Sequence, residues 1–299
     1  MRIIRFLQSG GTPILAAVTD DSRVYRLPQN DFMELVREAD EEGKTPLAWI
    51  QGIISSGEPI PEMLEELELV VPLEAAEVWA CGVTYERSRD ARNYEATGGK
   101  LDASTFYDKV YEAQRPEIFF KSTAARTVGP GRDLYLRSDS NWQIPEPELG
   151  LVLSREGRIV GYTVGNDMSC RDIEGENPLY LPQAKMWKGS CSIGPAIRLV
   201  ETVEDPYSFQ IVCRIFREGE KVVEGSASTG QLKRKLDELV SYLLRDNTIF
   251  DGTVLLTGTC IVPPDEFTLL DGDRVEIEIE GIGVLSNPVK SQVAGSIPV

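Results

Sequence analysis

The chain has 299 residues, 41% of them apolar, which suffices for one large domain or for a small domain joined to a larger one. Aspartate and glutamate number 48 against 31 lysines and arginines, a formal charge of -17. That balance argues against a nucleic-acid or anionic-membrane partner and leaves any anionic substrate dependent on a local positive group. There is no histidine at all, which excludes Ser-His-Asp and Cys-His catalysis, histidine-ligated metals and the usual neutral-pH proton shuttle.

In chain order, "RIIRFL", "PILAAV" and "RVYRL" read as short strands, followed by a helix capped near Asn30 with Phe32, Leu35, Val36 and Ala39 on one face. The opening stretch lacks the unbroken apolar core of a signal peptide, and no run approaches the length of a transmembrane helix. The acidic "PEMLEELELVVPLEAAE" leads to "VWACGVTY", where a buried strand is expected to start the larger domain. The expected division is a small N-terminal α/β domain over residues 1–72 and a catalytic domain over 73–299. A charged segment from Glu86 to Lys100, with Gly98 and Gly99, reads as a mobile helix or lid. "STFYDKVYEAQ" has helical spacing and "EIFFKS" is a short strand.

Next, apolar "LGLVLS", a turn at Arg155 to Gly157 and apolar "IVGYTVG" form a hairpin. "SFQIVCRIF" and "DRVEIEIEG" alternate as half-buried antiparallel strands do, and between them Leu232, Leu236, Leu239, Val240 and Leu243 make one helical stripe. Strands dominate and no Rossmann-type glycine motif is present, so an α+β or mainly β architecture follows. The five cysteines, Cys81, Cys170, Cys191, Cys213 and Cys260, are widely spaced, odd in number and without a C-x-x-C pair. They read as reduced, mostly buried thiols of a cytoplasmic protein.

The hairpin carries the chemistry. Alternation puts Glu146 and Glu148 on one face of a strand, and Pro145 and Pro147 suit an edge or a strand entrance. A turn near residue 156 brings residue 146 roughly opposite 166, so Asp167 can meet both glutamates. Oxygen-only ligands favour Mg²⁺, Mn²⁺ or Ca²⁺ over zinc, and few protein ligands leave room for water and substrate. The bland alternative is a solvated acidic strand end.

"RPEIFFK", "PEPELGLVL", "GYTVGNDMSCRD", "KMWKGSCSIGP" and "LLTGTCIVP", in this order over roughly residues 78 to 290, resemble the fumarylacetoacetate hydrolase family. "RSDSNW", "ENPLYLPQAK" and "RDN" resemble its sugar-acid dehydratases. The resemblance implies a mixed β-roll behind a small N-terminal domain, a divalent cation on Glu146, Glu148 and Asp167, and a homo-oligomer, dimer or tetramer. The family's hydrolases carry a water-activating His and Glu in a lid of pattern G-x-N-Y-x-x-H-x-x-E. Here Gly82, Thr84 and Tyr85 are in register, but Ser88 and Ala91 replace that pair. A positioned base contributes roughly 10²- to 10⁴-fold, so hydrolysis is disfavoured and proton removal beside a keto group is the surviving chemistry.

A 2-keto acid bound to Mg²⁺ has an acidified adjacent carbon, because the cation stabilises the enolate. Loss of the next hydroxyl then completes the dehydration of a 2-keto-3-deoxy sugar acid to a semialdehyde. The family motif places its site lysine at Lys185, read as the base; a lysine near a cation and partly desolvated gives up its proton more readily. The alternatives are a cationic contact to substrate or a surface charge, and Lys188 is the competing position. Glu117 resembles the second catalytic group, acting on the leaving hydroxyl, against the alternative of a salt bridge to Arg115 or Lys121. Tyr85, Lys121 and Thr259 are expected to contact substrate, against a core aromatic, a surface cation and a turn hydroxyl. Arg171 and Asp172 read as a supporting ion pair. The rival functions are an acylpyruvate or fumarylpyruvate hydrolase, a keto-enol isomerase or decarboxylase, and a non-catalytic metal or carboxylate-binding protein.

Overall fold

The computed structural model describes residues 1–8, 10–97 and 106–292. Gly98, Gly99 and Lys100 of the expected lid lie outside them, as does the side chain of Ala91. The chain starts as a meander of β1 (Arg2–Leu7), β2 (Pro13–Val18) and β3 (Val24–Arg26). Helix α1 (Phe32–Glu41) follows, capped by Asp31 rather than the expected Asn30. Asp31 Oδ1 accepts from Glu34 N, while Glu34 reaches back to the backbone N–H and side chain of Asn30, so the reciprocal cap centres one residue later. Helix α2 (Pro46–Ser56) was not foreseen: it buries only Pro46 and Ile50, too thin a stripe to stand out as periodicity.

The next elements are β4 (Leu69–Val70), β5 (Glu77–Gly82), α3 (Glu86–Thr97), α4 (Phe106–Glu112), β6 (Glu117–Thr123), β7 (Thr127–Val128), β8 (Leu134–Leu136) and β9 (Gln143–Ile144). The hairpin is β10 (Pro147–Leu153) with β11 (Ile159–Asp167), then β12 (Ser169–Cys170), α5 (Arg171–Glu176), α6 (Leu181–Lys185) and β13 (Cys191–Leu199). The chain ends in β14 (Gln210–Arg217), β15 (Glu220–Ser228), α7 (Leu236–Leu244), β16 (Thr253–Thr259), β17 (Arg274–Ile279) and β18 (Gly283–Ser291). Of the expected stripe, Leu236, Leu239, Val240 and Leu243 are buried on α7, whereas Leu232 precedes the helix.

The architecture is α+β. An 11-stranded mixed sheet runs β3-β2-β1-β13-β11-β10-β16-β5-β6, with β4 on β1 and β7 on β13, and a 5-stranded sheet runs β15-β14-β17-β18-β8. Alternation along β10 sends Leu149, Leu151 and Leu153 into a core shared with Ile211, Cys213, Ile277 and Ile279 of the smaller sheet. Val152 points the other way, into a core shared with Phe32 and Leu35 of α1 and Ile50 of α2. Strand β1 pairs with β13, Ile3 opposite Ile197, so the first 72 residues continue the large sheet. Strand β10 is hydrogen-bonded on both sides, by β11 and β16, and every residue of it is buried. Anything mounted at its first residues therefore lies deep in the protein.

Candidate active site

Pairing in the hairpin sets Pro147 opposite Asn166 and Glu148 opposite Gly165. The ladder extends one step further, with Asp167 N–H donating to the Glu146 carbonyl at 3.0 Å and Glu146 N–H to Asn166 Oδ1 at 3.1 Å. Glu146, Glu148 and Asp167 thus share one end and one face. One carboxylate oxygen from each lies within 4.8 Å of the others, and the residues are 3%, 1% and 0% exposed. This is not a solvated strand end.

Three buried cations answer them. Lys185 Nζ, at the end of α6, donates to Glu146 Oε2 at 2.6 Å and Ser169 Oγ at 2.5 Å, and stands 3.4 Å from Asp167 Oδ2 and 3.6 Å from Glu174 Oε1. Arg171 Nη2 holds the other oxygen of Glu146 at 2.7 Å, and its Nη1 lies 3.6 Å from Glu174 Oε2. Lys121 Nζ meets Asp167 Oδ1 at 2.5 Å and donates to the carbonyls of Met168, at 2.9 Å, and Lys185. Glu148 instead takes the backbone N–H of Gly258 at 2.5 Å. Gly258 sits at φ +94°, and a Cβ there would stand 2.0 Å from Thr84 Oγ1, so only glycine presents this donor.

Among the described residues, the fully buried carboxylates Glu146, Glu148, Asp167 and Glu174 stand beside the buried cations Lys121, Lys185 and Arg171. The Glu148 carboxyl is held well above the usual range, first by burial and then by the charges of Asp167 and Glu146. A convergent, buried trio of hard oxygen donors fits a divalent cation such as Mg²⁺.

Glu117 opens β6 opposite Gly82, where a Cβ would come within 1.9 Å of Glu117 Oε2, so the missing side chain makes room for the carboxylate. On the same face of β6 as Glu117, the ring of Phe119 lies 5.5 Å below Lys185 Nζ. Burial holds the thiol of Cys81 well above its ordinary range, and the charges of Glu148 and Glu117 add to this. Of the two cations weighed as partners of Glu117, Lys121 meets Asp167 and the Arg115 guanidinium packs on Tyr242. Tyr85 is buried, its hydroxyl has no hydrogen-bond partner among the described residues, and it is kept protonated by burial, Cys260 and Glu148. It lines a cavity of about 920 Å³ whose walls include Arg87 and Asp90 of α3, Gln231 and Ile261. Thr259 pairs with Glu148 across the sheet, but its hydroxyl exchanges hydrogen bonds with the backbone of Ile261.

One expectation needs correction. Arg171 and Asp172 do not form the expected ion pair: Arg171 turns inward to Glu146 and Glu174, while Asp172 accepts from Ser140 Oγ and Asn141 N–H, both at 2.6 Å. Neighbours on a short helix point in different directions, and only one of these two faces the core. Lys121, expected to contact substrate against the alternative of a surface cation, is wholly buried. Lys188, the competitor of Lys185, is exposed over the ring of Tyr135. Ser88 is buried in α3, and Gly258, Ser169 and Glu174 were missed. Glu174 carried one signal, its i,i+3 spacing from Arg171, but its approach to Lys185 depends on the loop into α6.

The sequence profile of the fumarylacetoacetate hydrolase C-terminal domain matches residues 88–290. The chain belongs to the fumarylacetoacetate hydrolase family. It is 43% identical, over 98% of its own length and 97% of the relative's, to a 2-dehydro-3-deoxy-D-arabinonate dehydratase of Saccharolobus solfataricus. It is 45% identical to a probable 2-keto-3-deoxyxylonate dehydratase of Haloferax volcanii, over 90% and 93% of the two chains. A solved structure of 2-keto-3-deoxy-D-arabinonate dehydratase, complexed with magnesium and 2,5-dioxopentanoate, superposes with a TM-score of 0.83. That structure shares 39% identity over 98% of this chain and 99% of the other. In this family member, no helix among the described residues is long and apolar enough to cross a membrane.

Proposed function

We propose that this family member is a metal-dependent hydro-lyase that converts 2-keto-3-deoxy-D-arabinonate to 2-oxoglutarate semialdehyde, the 2,5-dioxopentanoate bound in the solved relative. The observation that carries the reading is the buried trio Glu146, Glu148 and Asp167 with Lys185 set among them, in a chain without histidine. These three carboxylates would hold Mg²⁺, which when bound polarises a 2-keto group and neutralises the adjoining acid. Lys185 Nζ is the group placed to take a proton from C3, and Phe119 beneath it keeps water from that side. Glu117 is assigned the proton given to the departing C4 hydroxyl, which leaves as water; moving a proton from C5 to C3 then gives a C5 enol, whose hydroxyl proton passes to C4 as the aldehyde forms. Lys121 fixes Asp167 and the carbonyl of Lys185, and so positions both. Tyr85, whose buried hydroxyl has no hydrogen-bond partner among the described residues, and Thr259, paired with Glu148 across the sheet, are assigned to substrate recognition.

All of these residues follow residue 72, in keeping with a small N-terminal domain ahead of a catalytic one. Free thiols suit a cytoplasmic enzyme, and the exposed Leu179 and Phe250 suit a homo-oligomer. The test is a product assay on 2-keto-3-deoxy-D-arabinonate with Mg²⁺, with EDTA as control and an acylpyruvate in parallel. Metal-dependent semialdehyde is the expected result. Acylpyruvate cleavage without dehydration would replace this reading by hydrolysis.

A further inference from the structure

Among the groups around Lys185 Nζ, Ser169 Oγ is uncharged and stands 2.5 Å away. Ser169 is wholly buried, and its strand β12 is pinned to β9, with Ser169 opposite Ile144. Beside it the ladder is interrupted. Asp167 N–H donates to the Glu146 carbonyl at 3.0 Å, but Glu146 N–H goes to Asn166 Oδ1 at 3.1 Å instead of returning to Asp167 as in a regular antiparallel pair. The Asp167 carbonyl accepts the Ser169 hydroxyl in its place, at 3.0 Å. A serine has one hydroxyl hydrogen to give, and with that hydrogen committed Ser169 Oγ meets Lys185 Nζ with a lone pair.

This contact fixes the far end of the lysine. Its near end is fixed as well, because the Lys185 carbonyl accepts from Lys121 Nζ and, at 3.1 Å, from Ser190 Oγ. Glu146 Oε2 at 2.6 Å, Asp167 Oδ2 at 3.4 Å and Glu174 Oε1 at 3.6 Å attract Nζ by charge, and the first two residues are also proposed ligands of the cation. Ser169 lies outside that set. It can hold an N–H of the nitrogen whether the nitrogen carries three hydrogens or two, and with its own hydrogen on Asp167 it does not compete for the lone pair that takes the C3 proton.

We propose that Ser169 is a positioning residue that holds Lys185 Nζ in place through the proton transfer. The proposal rests on reading Lys185 as the base of the dehydration.

The test compares wild type with Ser169→Ala, as full chains with Mg²⁺, by steady-state rates and by deuterium exchange at C3 of 2-keto-3-deoxy-D-arabinonate in D₂O. Calorimetric titration with Mg²⁺ alone accompanies it. A misplacement of about 1 Å costs roughly 10²-fold in rate, so Ser169→Ala should lower kcat and C3 exchange together by that order. KM and Mg²⁺ affinity should stay as in wild type, because no carboxylate is altered. A wild-type kcat in Ser169→Ala would overturn the positioning role alone. Mg²⁺ affinity falling in step with the rate would overturn it too, by placing the effect on Asp167, and so would fast C3 exchange beside slowed dehydration. A wild type that neither exchanges C3 nor forms semialdehyde would instead overturn the assigned reaction, and the positioning role with it. Should Ser169→Ala not fold, Ser169→Cys carries the same comparison, since a thiol fills the place of the hydroxyl but accepts only weakly.

Discussion

The two ends of the hairpin formed by β10 and β11 carry charges of the same chemical types in opposite circumstances. At the turn, Arg155 meets Glu156 at 2.9 Å with both side chains more than two-thirds exposed, and Arg158 meets Asp40 at 2.5 Å, each about half exposed. At the open end, Glu146 meets Lys185 at 2.6 Å with both side chains buried. The distances are alike and the consequences are not. Water screens the turn pairs, so they add little to stability, whereas at the open end each charge depends on its neighbours for the solvation it has lost. Three buried carboxylates that converge on one point are what mark the open end as the place for the chemistry.

Perturbing the open end should therefore have large effects and perturbing the turn almost none. Lys185→Met, which removes the assigned base, should lower turnover by roughly 10²- to 10⁴-fold while leaving Mg²⁺ binding intact. Steady-state rates and a metal titration on the same preparation check both halves. Arg171→Met should destabilise the fold by about 3–5 kcal/mol, because Glu146 and Glu174 lose the guanidinium between them. Urea unfolding in EDTA measures this, and a loss below about 1 kcal/mol, as for an exposed pair, would break the contrast.

The pH dependence follows from Glu148. Its folded-state carboxyl lies well above the ordinary value of 4.5, so the native protein binds more protons than the unfolded chain between the two values. The stability this provides is fully present below the ordinary value and is lost as pH rises through the folded one. EDTA-treated protein should thus melt at progressively lower temperature as pH is raised past the usual carboxylate range. Mg²⁺, replacing the proton, should flatten the decline. At the other end of the ladder, Arg158→Ala should shift stability by less than about 1 kcal/mol, and less still in high salt.

The same contrast explains what could be read from the chain. Hairpin register follows from the period of two and the turn, so Glu146, Glu148 and Asp167 could be brought together from spacing alone. Helix α1 was legible because five apolar positions recur on one face, and α2 was not because it buries only two. What spacing could not supply is the approach of groups from other elements. Gly258 reaches Glu148 across β16, Lys121 reaches Asp167 from β6, and Glu174 comes near Lys185 through the loop ahead of α6. Arg171 was assigned to its sequence neighbour because adjacency is visible in a sequence and burial is not.

The central claim, that Lys185 removes the C3 proton at the buried end of the hairpin, is tested most directly by proton NMR of 2-keto-3-deoxy-D-arabinonate in D₂O with Mg²⁺, comparing Glu117→Gln with Lys185→Met. The account predicts that Glu117→Gln exchanges the C3 protons for deuterium while accumulating little semialdehyde, and that Lys185→Met does neither. Enzyme-dependent C3 exchange retained in Lys185→Met would contradict it and assign the proton to another group.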